Sequence, residues 1–386
     1  MQTAKMVDAA ATQTLGRRLF TPVRGEGRHF FLIDLVRGFA ALVVVIFHYQ
    51  NFAIPAGSIE QVLVVRDAMP WRTLLWPIYD YGLFAVQLFW LISGFVFTGV
   101  YVGHTHTTRY FVASRIDRLY PLHLLTLFVV AGLQFGRLGT LGNFAIYQVN
   151  DVYHFVLHLF MASDWGFQRG PSFNAPIWSV SLEILIYAIF WFVASWLYRF
   201  GLIGPFALAG AFAMGSIFNL PGTLFWQCGF YFFLGSAAHC AYIVAGKKSR
   251  WLVIPGVAGF GFVTALLLVH PTIGVPKLMS VILPSLFLIV CSVESPHVVL
   301  PKWARTVGDM TYGVYLWHIP LMLAAMLILD GVVGSRGIVL QPGFLIAYVA
   351  VIALIGALSF YRIERPAKRV LMSLIEGGVA RKRQGT

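Results

Sequence analysis

One apolar stretch near the start of the chain carries three residues that can do charge or acid–base chemistry. Residues 30–50 read FFLIDLVRGFAALVVVIFHYQ and include Asp34, Arg37 and His48. A charge at membrane depth costs roughly 3 kcal/mol on insertion scales, so such residues usually face a protein interior or a cavity. Imidazole titrates near neutral pH. The stretch therefore predicts a membrane helix with a polar stripe that ends in a candidate base.

Helix geometry sets how these three groups are arranged. Arg37 and His48 are about three turns apart, or about 16 Å along a helix, so their side chains point to nearly the same face. Asp34 lies one turn before Arg37 and is placed to neutralise it. Two interpretations stay open. One is a catalytic stripe through the membrane, and the other is a buried Asp–Arg pair with a histidine satisfied at the far interface.

A pair of arginines forms the second candidate group. Arg115 and Arg118 are spaced i,i+3, so both can face one ligand, and the planar guanidinium suits phosphate. The alternative is two arginines that snorkel to the membrane interface. Pro121 predicts a helix start close to this pair. Glu364, near the end of the chain, is a candidate partner of these arginines or a solvated acid.

Another candidate group opens the fourth apolar stretch. Trp178, Ser179, Ser181 and Glu183 lie within about two helical turns of one another. The Glu183 carboxylate could orient His48, accept its proton or pair with Arg37. The alternative is a network of serine and glutamate that only packs helices together.

A last polar stripe lies on the ninth apolar stretch. Tyr312, Tyr315 and His318 follow helical spacing. Hydrogen bonding between helices would explain this stripe as well as chemistry would. Two further histidine pairs, His104 with His106 and His154 with His158, have metal-like spacings. We predict no metal site at either, and an interfacial amphipathic helix at the second.

Composition and charge fix the class of protein that must position these groups. Hydrophobic residues make up 59% of the 386 residues and charged residues 11%, whereas soluble chains are about 25% charged. The chain is therefore predicted to be an all-α, polytopic membrane bundle. The net charge of +13 first suggests cytoplasmic loops and anionic lipid rather than nucleic acid. The three cysteines lie in apolar stretches and are predicted to be core residues.

Apolar runs near twenty residues predict about ten membrane spans. They cover residues 31–50, 82–103, 119–136, 177–198, 202–219, 224–245, 251–269, 278–293, 311–329 and 343–361. An even number of spans puts both termini on one side. That side carries 21 of the 28 Lys and Arg residues, the other carries 6, and Arg37 is within the membrane. The positive-inside rule therefore predicts cytoplasmic termini. The predicted domains are a tail at 1–29, a membrane domain at 30–362 and a basic tail at 363–386.

Six sequence blocks in this order resemble integral-membrane acyltransferase family 3, which O-acylates bacterial surface glycans and some small molecules. The first block is Asp34–Arg37 followed by His48, which matches the arginine-then-ten-then-histidine signature of the family. The other blocks are Phe89–Phe95, Arg115–Pro121, Trp178–Glu183, Tyr312–His318 and Glu364–Pro366. Each block alone is a weak signal, but the six in order span most of the chain.

The resemblance implies an acyl-CoA donor that enters from the cytoplasm, with His48 catalytic and Arg115 and Arg118 near the CoA phosphates. His48 would act as a general base on an acceptor hydroxyl, or form a transient acyl-imidazole. From their residue types and positions, Arg37, Asp34 and Glu183 are predicted to take part in catalysis with His48, and Glu364 to take part in donor binding with Arg115 and Arg118. No tightly bound cofactor is expected.

The leading hypothesis is an O-acyltransferase, most simply an O-acetyltransferase, in the bacterial inner membrane. Its acceptor would be a glycan, a glycolipid or a glycosylated small molecule at the outer face, with membrane lipid as the other partner and no nucleic acid. The rival hypothesis is a transporter or flippase of a glycan or glycolipid, because intramembrane charges also mark transport pathways. A purely structural membrane subunit is the third.

Overall fold

The computed structural model describes residues 30–54, 65–104, 106–294, 302–370 and 373. Within these residues the chain is helical and contains no strand. Its α-helices are α1 Phe31–Tyr49, α2 Arg72–Tyr81, α3 Ala85–Tyr101, α4 Thr108–Leu141, α5 Val152–Leu159, α6 Trp178–Leu197, α7 Ile203–Ile217, α8 Thr223–Ala245, α9 Val253–Val269, α10 Val275–Val293, α11 Lys302–Ile328 and α12 Pro342–Ser359. Two π-helical segments, Leu329–Val333 and Phe360–Glu364, follow α11 and α12.

The predicted membrane bundle is confirmed: nine helices of the described chain are long and apolar enough to cross a bilayer. The predicted span at residues 202–219 is the exception: it corresponds to α7, which has only 15 residues. At 1.5 Å per residue it reaches about 22 Å, short of a hydrocarbon core of about 30 Å. It ends there because the turn at 218–222 carries Asn219 and Gly222, both with positive φ.

Unit 1 is one of two compact units and comprises the described parts of Met1–Arg37, Val86–Thr105 and Leu182–Ala304. In it α7 packs against α8, and α8 and α9 both pack against α10. Small residues bring α3 and α8 into backbone contact. A Cβ on Gly94 would overlap the Phe232 carbonyl, and one on Gly235 would overlap the Leu91 carbonyl. The Gly94 block therefore has a packing role, as small residues at membrane helix crossings do.

Unit 2 comprises Gly38–Ala85, His106–Ser181 and the described part of Arg305–Thr386. In it α4 packs against α5 and against the π-helical segment Phe360–Glu364. Helices α11 and α12 cross at Gly313 and Gly356, where a Cβ on either residue would lie within 3.0 Å of the opposite backbone. The predicted tail at 1–29 lies outside the described residues, as do residues 371, 372 and 374–386 of the predicted tail at 363–386.

Two local predictions need correction. Pro121 does not start a helix: α4 begins at Thr108, with Thr107 as N-cap, and Pro121 lies inside it. The helix starts earlier because the Thr107 hydroxyl accepts a hydrogen bond from the Tyr110 amide, the usual N-cap contact.

The second correction concerns α5, predicted as an interfacial amphipathic helix. Its histidines, His154 and His158, are both 1% exposed, whereas Val152 and Val156 are exposed. The polar face therefore packs into the protein and the apolar face points outward, as suits a helix beside lipid.

Candidate active site

His48 lies in the last turn of α1, in unit 2, and is half-buried. Its Nδ1 atom is 2.9 Å from the Val44 carbonyl oxygen. Because a carbonyl oxygen only accepts, Nδ1 carries the proton and donates it. The lone pair of His48 is therefore on Nε2, the nitrogen that points away from its own helix backbone. This tautomer is the one that a general base needs.

His318, in the middle of α11, has the same tautomer and is fully buried. Its Nδ1 donates to the Tyr315 carbonyl one turn earlier. Its Nε2 is buried and has no hydrogen-bond partner among the described residues. The ring centroids of His48 and His318 are 5.0 Å apart, with a tilt of 44° between the rings. Sequence reasoning placed each histidine on a polar stripe but did not bring the two together.

The two imidazoles can do one kind of chemistry together. Both Nε2 atoms are acceptors in the neutral rings, so neither ring can donate a hydrogen bond to the other through Nε2. A third group between them must supply a hydrogen, as a hydroxyl does. A proton taken up by one ring would also have an acceptor nearby in the other. The pair is therefore suited to bind and deprotonate a hydroxyl group.

Hydrogen bonds to two other elements, α12 and the segment before α6, hold the part of α11 around His318. The Tyr348 hydroxyl of α12 donates to the His318 carbonyl oxygen at 2.7 Å. The Asn174 amide, before α6, donates to the Leu316 carbonyl at 3.1 Å. The Tyr315 hydroxyl donates to the Pro176 carbonyl at 2.6 Å. These bonds fix the position of one imidazole, which matters because catalytic groups work within narrow geometric limits.

Ser179 and Tyr312 also join helices. Ser179 Oγ lies 2.8 Å from the Tyr315 hydroxyl oxygen. Both hydroxyl groups also lie within hydrogen-bonding distance of the Pro176 carbonyl oxygen, at 3.3 and 2.6 Å. The Tyr312 hydroxyl donates to the Leu119 carbonyl of α4 at 2.7 Å. The polar stripe on α11 therefore fits both interpretations, helix–helix hydrogen bonding and chemistry. Its tyrosines link helices, and its histidine faces a second imidazole.

Two further predicted residues, Ser181 and Trp178, lie at the start of α6, where Ser181 contacts the preceding loop. The Ser181 hydroxyl accepts from the Asp164 amide at 3.1 Å, and its carbonyl accepts from the Trp165 indole at 2.8 Å. Ser181 thus anchors the loop before α6. Trp178 is the first residue of α6 and is half-buried.

Asp34 and Arg37 form the ion pair that their spacing predicts, in unit 1. Arg37 Nη1 is 3.7 Å from Asp34 Oδ1, and the two side chains are 17% and 12% exposed. This is a long contact, so the pair is held mainly by charge rather than by a close hydrogen bond. Glu183, also in unit 1, is buried and lies close enough to Cys228 to interact with it electrostatically.

Glu294 is a functional candidate that sequence reasoning missed. It is 1% exposed, and its Oε2 accepts a 2.9 Å hydrogen bond from the Leu32 amide in the first turn of α1. A carboxylate at this position satisfies an amide that the helix leaves open and is favoured by the helix dipole. Glu294 follows the eighth apolar run, and nothing in its local sequence links it to α1.

Arg115 and Arg118 lie in the second and third turns of α4, beside a buried acid. Asp117 is 3% exposed and interacts electrostatically with Lys368, Arg115 and Arg118. Arg115 is half-buried and Arg118 is exposed. Three cations thus surround one carboxylate, so the cluster keeps a net positive charge that an anion can use. Lys368 was not predicted as a member.

Glu364 lies in the π-helical segment that packs against α4. Its Oε1 would be 3.3 Å from a Cβ built on Gly313, so the carboxylate rests against the close crossing of α11 and α12. π-Helical turns occur often at functional sites. The predicted pairing of Glu364 with Arg115 or Arg118 stays a prediction.

A salt-bridge network beyond the end of α1 was also missed. Asp330 accepts from Arg137 at 2.6 Å and from Arg336. Arg336 also donates to the Phe52 and Ile54 carbonyls, at 3.0 and 2.9 Å. The network therefore ties the segment after His48 to the loop after α11. Arg137 lies 193 positions from Asp330 and Phe52 lies 284 positions from Arg336, so only the fold reveals these two links.

The buried histidines of α5 form a separate cluster. Burial, with the nearby His123 and His154, lowers the pKa of His158 to about 3, so this ring stays neutral at physiological pH. His158 Nε2 lies 3.1 Å from Ser172 Oγ, and the His158 carbonyl lies 2.7 Å from His123 Nε2. Hydrogen bonds from His154 lower the pKa of Asp151. Across the described residues, no group of three or more His, Cys, Asp or Glu is placed to hold a metal ion.

Comparison with known proteins gives a family but no individual relative. No curated protein and no solved structure matches the chain. A sequence model of the family described as "Acyltransferase domain" matches residues 31–362. This range contains every candidate residue above except Glu364 and Lys368, and it confirms the resemblance drawn from the six sequence blocks. The chain is a multi-pass membrane protein that belongs to the acyltransferase domain family, integral-membrane acyltransferase family 3.

Proposed function

We propose that the protein transfers an acyl group, most simply acetyl, from acyl-CoA to a hydroxyl of a sugar-containing acceptor. The observation that carries this proposal is the pair of imidazoles, His48 and His318, whose centroids are 5.0 Å apart and whose Nδ1 atoms both donate to backbone carbonyls. Two neutral acceptors side by side suit a hydroxyl substrate.

In the proposed step His48 Nε2 accepts the proton of the acceptor hydroxyl. The hydroxyl oxygen attacks the thioester carbonyl carbon, the new C–O bond forms and the C–S bond breaks. The proton then passes from His48 to the CoA thiolate, so the products are an ester and free CoA with no net proton change. General base catalysis of this kind contributes about 10²–10⁴-fold. His318 Nε2, as a second acceptor, would take a hydrogen bond from a neighbouring hydroxyl of the sugar, because the reacting hydroxyl has only one hydrogen to donate.

The donor is proposed to bind at the α4 cluster. Arg115, Arg118 and Lys368 supply positive charge around Asp117, and CoA carries phosphates that pair well with guanidinium groups. Asp34 and Arg37 are proposed to hold the first half of α1, and the catalytic role of Glu183 stays a prediction from the sequence.

The proposed setting is the bacterial inner membrane, with both termini cytoplasmic. Acyl-CoA would bind from the cytoplasm and the acceptor, a glycan, glycolipid or glycosylated small molecule, from the outer face. The support is the excess of Lys and Arg on the side of the termini, in a count that takes the 15-residue α7 as one of ten membrane crossings.

The test is acyl transfer by the purified full chain in lipid nanodiscs, with radiolabelled acetyl-CoA and a panel of sugar acceptors. The expected result is release of free CoA that depends on an acceptor, together with label in the acceptor. Direct transfer predicts that no label stays on the protein when the acceptor is omitted. Label retained on His48, located by mass spectrometry, would favour an acyl-imidazole route.

A result that overturns the proposal is the absence of any binding or turnover of acyl-CoA by folded protein. Uptake of a labelled glycolipid into proteoliposomes under those conditions would favour the transporter hypothesis instead. Thermal stabilisation by acetyl-CoA provides a separate measure of donor binding, because a ligand that binds only the folded state raises its stability.

A further inference from the structure

A cavity of about 460 Å³ lies within unit 1 and has no role in the proposed acyl transfer. It forms where the starts of α3, α8 and α10 meet the end of α7. Small-molecule sites usually measure about 300–1,000 Å³. The cavity therefore has the size of a ligand site, and its position at helix ends places it at one edge of the apolar layer.

Six of the eleven residues that line the cavity carry uncharged polar side chains. They are three carboxamides, Gln87, Asn219 and Gln227, and three residues with hydroxyl groups, Ser216, Tyr231 and Ser280. No carboxylate lines it. Carboxamides and hydroxyls can each donate and accept hydrogen bonds. A wall of this composition suits a ligand that is rich in hydroxyl groups.

One side-chain oxygen of a residue in the wall lacks a hydrogen-bond partner. Gln87 Nε2 donates to Gln227 Oε1 at 3.3 Å, but Gln87 Oε1 is buried without a hydrogen-bond partner among the described residues. Buried acceptors in folded proteins are nearly always bonded, and each exception calls for an explanation. This oxygen has almost no surface that a water-sized molecule in the cavity can reach, so a ligand hydroxyl would supply the missing bond once the Gln87 carboxamide turns toward the cavity.

The charge at the rim is positive. Lys277, in the first turn of α10, lines the cavity and is exposed, and it has no acidic partner within the described chain. Helices α8 and α10 have 23 and 19 residues and both begin here. Helix N-termini carry partial positive charge. The rim therefore favours a ligand that bears a negative group.

We propose that this cavity binds a hydroxyl-rich, anionic headgroup, such as a sugar or inositol phosphate. The ligand hydroxyls would bond the carboxamides, and its phosphate would lie against Lys277 and the start of α10. This headgroup can be part of a lipid or a free molecule. The proposal does not depend on acyl transfer, since it concerns binding alone.

Native mass spectrometry of the full chain in detergent micelles tests this proposal with four probes. Phosphatidylinositol carries hydroxyls and charge, phosphatidic acid carries charge alone, and monogalactosyldiacylglycerol carries hydroxyls alone. Free inositol 1-phosphate carries the headgroup without the lipid chains. The expected result is about tenfold tighter binding of phosphatidylinositol than of either other lipid. Competition by free inositol phosphate would show that the headgroup suffices, and its failure would assign the site to the lipid.

Matched variants identify the site. Lys277→Gln should abolish the preference over monogalactosyldiacylglycerol, with Lys248→Gln, an exposed lysine away from the cavity, as control. Gln87→Leu should abolish the preference over phosphatidic acid, with Gln148→Leu, at an exposed position, as control. Lys277 is exposed, so its replacement leaves the fold intact. Equal binding of all three lipids by the native chain, or unchanged preferences in both variants, would overturn the proposal whether or not the chain transfers acyl groups.

Discussion

His239 of unit 1 and His318 of unit 2 are both fully buried in long apolar helices, yet their surroundings differ. The His239 ring packs against the edges of Phe30 and Phe95, with centroid distances of 6.0 and 4.7 Å. Neither of its nitrogens has a hydrogen-bond partner among the described residues. His318 has one nitrogen fixed as donor and faces a second imidazole. A buried histidine therefore indicates chemistry when its tautomer is fixed and another titratable group lies beside it.

The two units also differ in how many polar side chains they bury. Most buried polar side chains of the described chain belong to unit 2, including the residues that hold His318. Unit 1 relies more on close helix crossings at glycine, such as Gly94 and Gly235. Its polar groups are fewer and include the Asp34–Arg37 pair and Glu294. We expect substitutions in unit 2 to affect chemistry first and those in unit 1 to affect stability first.

The largest expected effect is that of His48→Gln on acyl transfer. Glutamine keeps a hydrogen-bonding side chain but cannot take up the proton, so the rate should fall by about 10²–10⁴-fold. Donor binding and thermal stability should stay close to those of the native chain, because His48 is only half-buried. The measurement is initial rate of label transfer from acetyl-CoA.

His104→Gln, at an exposed position, makes the same chemical change away from the imidazole pair and should transfer at the native rate. A His48→Gln protein that acylates its acceptor at a near-native rate would remove His48 from the reaction.

Arg37→Ala should mainly reduce the yield of folded protein. The change leaves Asp34 as a poorly compensated charge, and breaking a buried pair costs about 3–5 kcal/mol. Because the two charged groups are 3.7 Å apart and both side chains are partly exposed, we expect a free-energy cost near the lower end of this range. The measurement is the folded fraction by size-exclusion chromatography after extraction.

The double variant Asp34→Asn/Arg37→Gln removes both charges and should recover much of the folded yield. Arg37→Lys should keep part of it, since a cation stays beside Asp34. If Arg37→Ala alone is extracted as well as the native chain, the ion pair does not stabilise α1.

Arg115→Ala and Arg118→Ala should each weaken acyl-CoA binding by about tenfold or more. A hydrogen bond to a charged group contributes about 1.5–3 kcal/mol, and both arginines belong to the positive cluster around Asp117. Equilibrium binding of acetyl-CoA measures the effect. Arg199→Ala, an exposed arginine of unit 1, is the matched control. Native affinity in folded Arg115 and Arg118 variants would exclude the cluster from the donor site.

The helical class and most span positions could be predicted from sequence, because apolar runs and their breaks are local features. The Asp34–Arg37 contact was predictable for the same reason, since a spacing of i,i+3 places both on one face. The start of α4 was predicted too late in the chain. The sequence placed this start at Pro121, whereas the N-cap at Thr107 starts the helix at Thr108.

The contacts between distant segments could not be read from sequence. His48 and His318 are 270 positions apart, and no local pattern says that α1 and α11 bring their rings together. Glu294 at the start of α1 is a similar case. The histidines of α5 showed helical spacing, but spacing alone does not tell whether a polar face meets water or protein.

His239→Leu should leave the fold intact and stabilise it slightly. The substitution removes two buried nitrogens without partners, and an unsatisfied buried polar group costs about 1–3 kcal/mol. Leucine has a similar volume, although Gly99 lies close to the ring and limits the gain. The measurement is the thermal unfolding midpoint in detergent. A clear loss of acyl transfer in a stable His239→Leu protein would break the distinction drawn between His239 and His318.

The smallest expected effect is a change in how stability depends on pH at Asp164, in the unit 2 loop before α6. Burial raises the pKa of Asp164 to about 6, whereas an unfolded chain has an aspartate pKa of about 3.9. Between these values the folded state binds more protons than the unfolded state, so stability falls as pH rises from about 4 to 6 and stays lower above. Asp164→Asn removes this titration and keeps a group that can meet Gln168, which donates to Asp164 Oδ1 at 2.7 Å. The gain in unfolding midpoint should therefore be larger at pH 7.5 than at pH 4.5. An equal shift at both values would mean that Asp164 is already charged at low pH and sufficiently solvated by its loop.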